Sequence, residues 1–223
     1  LTSWIIFILL KKLNFPLLIA ALPSFFIVCT QYFYLVIGME TNLYLFLLIL
    51  NIYLFLEKKY FALSLAAPLL FLTRGESAFL IIILIIFHFA LKRNFPKWYV
   101  FVIPFIILAG NYVFNFLYYG EMLPHTLSAK IMQGSSGLWG EFSFFKGLFF
   151  INWHETKSFY LYNYFFSLLL FAFAIAGILS KIFKSLFLQI YLIFLLLLAI
   201  FYIFFNIPYY LWYYAPFFIF ACI

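Results

Sequence analysis

Few ionisable side chains in this sequence could do chemistry, and they fall into short groups. Arg74-Gly75-Glu76 sets a cation and a carboxylate two residues apart, and Glu40 stands in Gly38-Met39-Glu40-Thr41 just ahead of an apolar run. An arginine offers a planar, two-pronged contact to phosphate or carboxylate, a lysine offers a point charge, and a carboxylate can take a proton from a hydroxyl group. Glu121 and His125 have helical i, i+4 spacing, but Pro124 lies between them and no third ligand follows. His154-Glu155 opens like a zinc-protease motif, yet Ser158 stands where the second histidine belongs. No metal site is assigned from either pair. His88 lies in an apolar run, where a hydrogen-bonded structural histidine is expected. There is no Gly-rich phosphate loop and no serine-nucleophile elbow.

The surroundings of these groups decide what holds them. Of 223 residues, 69% are hydrophobic and only 9% are charged, whereas a soluble domain carries about 25% charged residues. The solvent around most of this chain must be lipid, and in lipid the backbone must satisfy itself as helices or as a closed barrel. Barrel strands would alternate apolar and polar residues. The continuous apolar runs Phe79–Phe87 and Ile190–Phe205 favour helices. Cys29 and Cys222 sit in such runs and read as small hydrophobes. The net charge of +7 is not clustered as a patch, so no nucleic-acid partner is expected.

The pattern predicts an all-α, polytopic transmembrane bundle of about nine spans, a single domain over 1–223. The apolar segments run 1–10, 13–34, 42–56, 60–73, 77–91, 98–117, 159–179, 185–205 and 212–223. Apolar sequence begins at Leu1 and continues to Ile223, so the first and last spans are expected to be truncated and the chain to be a fragment of a longer membrane protein. The connections alternate in charge. Lys11 and Lys12, then Glu57-Lys58-Lys59, then Lys92, Arg93 and Lys97, then Lys181 and Lys184 fall on one side, with nine of the thirteen basic residues. The positive-inside rule makes that side cytoplasmic. The outer side receives Glu40, Arg74-Gly75-Glu76, a long loop over 118–158 with interfacial segments, and Asn206–Pro216.

Segment 60–73 is only about 21 Å long at ~1.5 Å per residue, against a hydrocarbon core about 30 Å thick. The Arg74 turn is therefore expected below the outer membrane surface, in a polar cavity that makes such charges tolerable. The bland account is mismatch relieved by local thinning. Two short antiparallel helices should place Glu40 beside Arg74, although an acid at that position could also serve only the helix dipole.

Three stretches together resemble the bacterial membrane glycosyltransferases of the GT-C class that use polyprenyl-phosphate sugars, the mannosyl-, arabinosyl- and aminoarabinosyl-transferases. They are Gly38-Met39-Glu40-Thr41 leading to Thr73-Arg74-Gly75-Glu76; Tyr118-Tyr119-Gly120-Glu121-Met122-Leu123-Pro124-His125-Thr126 through Ala129-Lys130; and Tyr209-Tyr210-Leu211-Trp212-Tyr213-Tyr214-Ala215-Pro216. Gly75 stands where that family usually has proline. The resemblance implies transfer of a sugar to a cell-envelope glycan, lipid or protein on the outer face of a prokaryotic inner membrane. It implies donor-phosphate binding by Arg74 and Lys130, and substrate contacts from Glu40, Glu76, Tyr119, His125 and Tyr213. The family's general base is an aspartate in its first large outer loop. This sequence contains no aspartate, so the base is expected outside it, with Glu40 and Glu76 as minority candidates. No cofactor is assigned; a divalent cation stays open. The competing readings are an envelope-polysaccharide polymerase or ligase with a pyrophosphate-linked donor, and a lipid or oligosaccharide transporter.

Overall fold

The computed structural model describes residues 1–29, 40–94, 96–120, 129, 132–133, 136, 144, 185–207 and 210–223. Their regular structure is entirely helical, with no strand among the described residues. Eight α-helices are described: α1 (Thr2–Lys12), α2 (Leu17–Cys29), α3 (Thr41–Leu56), α4 (Tyr60–Thr73), α5 (Ala78–Ala90), α6 (Tyr99–Tyr119), α7 (Leu186–Phe204) and α8 (Ala215–Cys222). The chain forms two compact units, Leu1–Pro124 and His125–Ile223. The segment 159–179 and most of the 118–158 loop lie outside the described residues.

In the first unit α3 is central. It packs on α1 and α4, and buries Tyr44, Leu45, Leu48, Ile49, Ile52 and Phe55 almost completely. Polar clasps tie neighbouring helices together. The Asn51 side-chain amide in α3 donates to the Leu47 carbonyl at 2.7 Å and to the Ala66 carbonyl of α4 at 3.2 Å. Ser24 of α2 donates to the Ser3 carbonyl of α1 at 2.9 Å. At one end of the unit, Lys12 bonds Glu57 at 2.6 Å and lies over the Tyr53 ring, which Lys59 also approaches. Arg93 donates to the Phe55 carbonyl at 2.8 Å there. Three basic turns thus converge on one end.

Those turns close without glycine. Lys58 and Lys92 take left-handed backbone, φ 57° and 47°, and so does Asn14 at 63°. Lys59 N–H then reaches the Leu54 carbonyl and Lys58 N–H the Phe55 carbonyl, the paired bonds of a Schellman ending.

Among the described residues of the second unit, aromatic rings meet one another. Phe144 stacks on Tyr214 with centroids 4.9 Å apart and meets Tyr202 edge-on, while the Tyr214 hydroxyl donates to the Phe144 carbonyl at 2.9 Å. The Tyr191 hydroxyl of α7 donates to the Pro216 carbonyl of α8 at 2.8 Å.

Two helices, α6 and α7, are long and apolar enough to cross a membrane; α2 to α5 are apolar but shorter. No residue of α6 is buried, and Phe105, Ile106, Phe114 and Leu117 are all exposed. So large an apolar face on one helix marks an interaction surface for lipid or protein.

Replacing Lys58 by glycine should relieve the left-handed strain and raise stability by about 1 kcal/mol, read as a higher thermal midpoint in detergent. The Glu57 hydrogen bond raises the Lys12 pKa above its ordinary 10.5. With the folded value above the unfolded one, the contribution of this tie is complete below pH 10.5 and is lost as pH rises through the folded value. Lys12→Met should abolish that alkaline loss in a pH-stability series.

Candidate functional site

The site grows from the end of α4. Thr73 donates its hydroxyl to the Leu70 carbonyl at 2.6 Å, and the next residue, Arg74, leaves the helix with extended backbone, φ −152° and ψ 120°. A single 3-10 turn, Gly75–Ser77, then leads into α5. Buried Ser77 pins this corner: its hydroxyl lies 2.6 Å from the Arg74 carbonyl and 3.1 Å from that of Leu70. The kink throws the Arg74 side chain inward, where only 4% of it stays exposed. Gly75 points to open space.

A buried guanidinium must find partners. Nη2 donates to Glu40 Oε1 and to Thr41 Oγ1, both at 3.2 Å. Nη1 stands 4.0 Å from Glu76 Oε1, and the guanidinium carbon lies 4.9 Å from the centre of the Tyr44 ring, within cation–π range. The two carboxylates differ in access: the Glu76 side chain is 8% exposed and that of Glu40 47%. Glu40 precedes α3 but makes no side-chain cap bond. Its carboxylate meets Arg74, the neighbour expected from two antiparallel helices. One guanidinium and two carboxylates give the cluster a formal charge of −1.

The cluster is recessed. The Phe61 and Tyr99 rings, 5.8 Å apart, set the starts of α4 and α6 level where these helices pack. From that common start α6 continues about 10 Å beyond the end of α4 at ~1.5 Å per residue. Tyr118 and Tyr119 crown that extension, exposed and edge-to-face at 4.8 Å.

Comparison with protein-family models, with curated proteins and with solved structures found no match. The site must be read from its own residues.

Of the residues singled out by sequence, the fold gathers Glu40, Arg74 and Glu76 into one contact. Tyr119 stands at the exposed end of α6. Tyr213 lies in the second unit, buried against the rings of Tyr202, Tyr210 and Trp212. His125 and Lys130 lie outside the described residues, as do Glu121 and the His154-Glu155 pair. His88 is buried, its Nε2 has no hydrogen-bond partner among the described residues, and its ring packs edge-on against Tyr60 at 5.5 Å. Among the described residues, no three His, Cys, Asp or Glu side chains gather as metal ligands.

Two members were missed by sequence reasoning. Thr41 and Tyr44 are both fully buried beside Arg74. The signal was spacing: Glu40 and Tyr44 are i, i+4, so they share the face of α3 that meets α4. The Tyr44 hydroxyl is buried without a hydrogen-bond partner.

Tyr44→Phe removes that unsatisfied hydroxyl and should leave stability unchanged or raise it by about 1 kcal/mol. Arg74→Ala takes the guanidinium from buried Glu76 and should cost about 3 kcal/mol. Thermal unfolding of the two variants side by side checks both.

Proposed function

We propose that this chain is the membrane-spanning part of a glycosyltransferase. It would move a sugar from a polyprenyl-phosphate donor to a cell-envelope glycan, lipid or protein on the outer face of a prokaryotic inner membrane. The single observation that carries the reading is the recessed Glu40–Arg74–Glu76 cluster, opposite the basic turns. A recessed arginine about 10 Å short of the end of a neighbouring helix suits a lipid-linked phosphate entering at the head-group level, provided a carboxylate gives way to it. The motif resemblance supplies the sugar chemistry.

On this reading all the described helices belong to a multi-span bundle of about nine spans. The lysine- and arginine-bearing turns face the cytoplasm, the apolar flank of α6 faces lipid or another helix, and Tyr118 and Tyr119 sit at the outer interface. Short helices α4 and α5 then place their connecting turn beneath the outer surface. The apolar surroundings strengthen every contact to the phosphate, because the local dielectric is low.

In the transfer step the acceptor oxygen forms a bond to the anomeric carbon while the bond from that carbon to the phosphate oxygen breaks. The electron pair leaves on polyprenyl phosphate, and the acceptor proton goes to a base. Arg74 neutralises the charge that grows on the phosphate, and Glu76 keeps the guanidinium in place. The motif resemblance adds Lys130 as a further phosphate-binding candidate, and His125, Tyr119 and Tyr213 as candidates for substrate contact. No general base is assigned among these residues.

Reconstituted protein should consume polyprenyl-phosphate sugar. Arg74→Ala should lose donor binding by about tenfold or more, and Arg74→Lys should restore it only in part because the two-pronged contact is gone. Binding of a pyrophosphate-linked oligosaccharide instead, with no turnover of the monophosphate donor, would transfer the site to a polymerase or ligase.

A further inference from the structure

Arg74 cannot receive a phosphate in the arrangement seen. Its Nη2 is occupied by Glu40 and Thr41, and its side chain is 4% exposed. The cluster already carries a formal charge of −1, which opposes an incoming anion. Yet its two carboxylates are not equivalent. Glu76 is shut in, whereas Glu40 is about half in solvent, precedes the first turn of α3 and is tied to the backbone by no cap bond. Releasing it breaks its contact with Arg74 and no cap bond.

We propose that Glu40 is a placeholder, a carboxylate that occupies the oxyanion position on Arg74 until a phosphate displaces it, and that the Tyr44 hydroxyl is part of the subsite so uncovered. The inference rests on the donor-phosphate reading of this cluster and adds two roles to it. With Glu40 swung out, one oxyanion would face Nη2 of Arg74, the Thr41 hydroxyl and the Tyr44 hydroxyl. Thr41 accepts from Arg74 and keeps its own O–H to donate. Tyr44 brings a buried hydroxyl with no hydrogen-bond partner, carried on the ring whose centre lies 4.9 Å from the guanidinium carbon. A buried polar group without a partner is destabilising, and a ligand oxygen would supply what the fold does not.

The arrangement also bears on product release. Sugar transfer converts a phosphodiester into a phosphomonoester, which carries more negative charge and binds a guanidinium more tightly. A carboxylate that returns to Arg74 competes with that product. Glu40 therefore lowers phosphate affinity and speeds turnover, the opposite of a residue that merely braces the arginine.

The experiment is a binding titration of short-chain polyprenyl phosphate against the protein in nanodiscs, for wild type, Glu40→Gln, Tyr44→Phe and the double variant. Thermal midpoints of all four are measured beside it. Glu40→Gln is isosteric and should tighten binding about tenfold by removing the competing charge. Tyr44→Phe should weaken binding about tenfold with a thermal midpoint equal to or above wild type. A brace predicts that Glu40→Gln weakens binding or leaves it unchanged, and either result overturns the placeholder role. Unchanged binding by Tyr44→Phe removes the hydroxyl from the subsite. Wild-type binding with no gain in Glu40→Gln defeats this inference alone; no binding by any of the four defeats the donor-phosphate reading as well.

Discussion

A guanidinium taken out of water governs the first unit. Desolvating an arginine costs several kcal/mol unless opposite charge and hydrogen-bond acceptors meet it, and Arg74 is met from three directions. Glu40 and Thr41 come from the start of α3, Glu76 from the turn into α5, and the Tyr44 ring from one turn into α3. These contacts join the beginning of α3, the end of α4 and the approach to α5 at one node. The Asn51 clasp to Ala66 sets the same two helices together lower down, so the node is the upper end of a seam already in register. Ser77, folded back on Leu70 and Arg74, keeps the kink that aims the arginine inward.

The opposite end of the unit answers with the other charge sign. Lys12, Lys59 and Arg93 gather around the last turn of α3, with Tyr53 and Phe55 as ring and carbonyl partners. A helical unit with its cations at one end and its buried acid–base cluster at the other has a built-in direction. In the proposed membrane setting, that direction puts the cations in the cytoplasm and the cluster outside. The exposed apolar faces of α2 and α6 mark surfaces for contact with lipid or protein.

Much of this was legible in the residue order. Helix limits follow from apolar runs broken by charge, so 60–73 and 42–56 match α4 and α3 to within a residue. The Glu40–Arg74 meeting follows from counting two antiparallel helices of similar length. What escaped notice has common causes. Tyr44 and Thr41 carry no charge, and a tyrosine in a chain that is 26% aromatic looks like packing. The left-handed turns at Asn14, Lys58 and Lys92 lack the glycine that usually announces them. The edge-on packing of His88 against Tyr60 depends on how two helices meet, which local spacing does not show. Burial of Tyr213 depends on contacts with Tyr202 and Tyr210, which no local spacing reveals.

The central claim is that the Arg74 turn opens to the outer side of a membrane through a water-filled recess. Gly75 is the place to test it, because it is exposed and a side chain there meets nothing within 4 Å. In a background with Cys29 and Cys222 replaced by alanine, Gly75→Cys is labelled in intact spheroplasts with a membrane-impermeant thiol reagent, beside Lys92→Cys as the opposite-end control. The account predicts rapid labelling of Gly75→Cys from outside and labelling of Lys92→Cys only after permeabilisation. A Gly75→Cys that stays unlabelled until the membrane is opened, or that never labels, would contradict it.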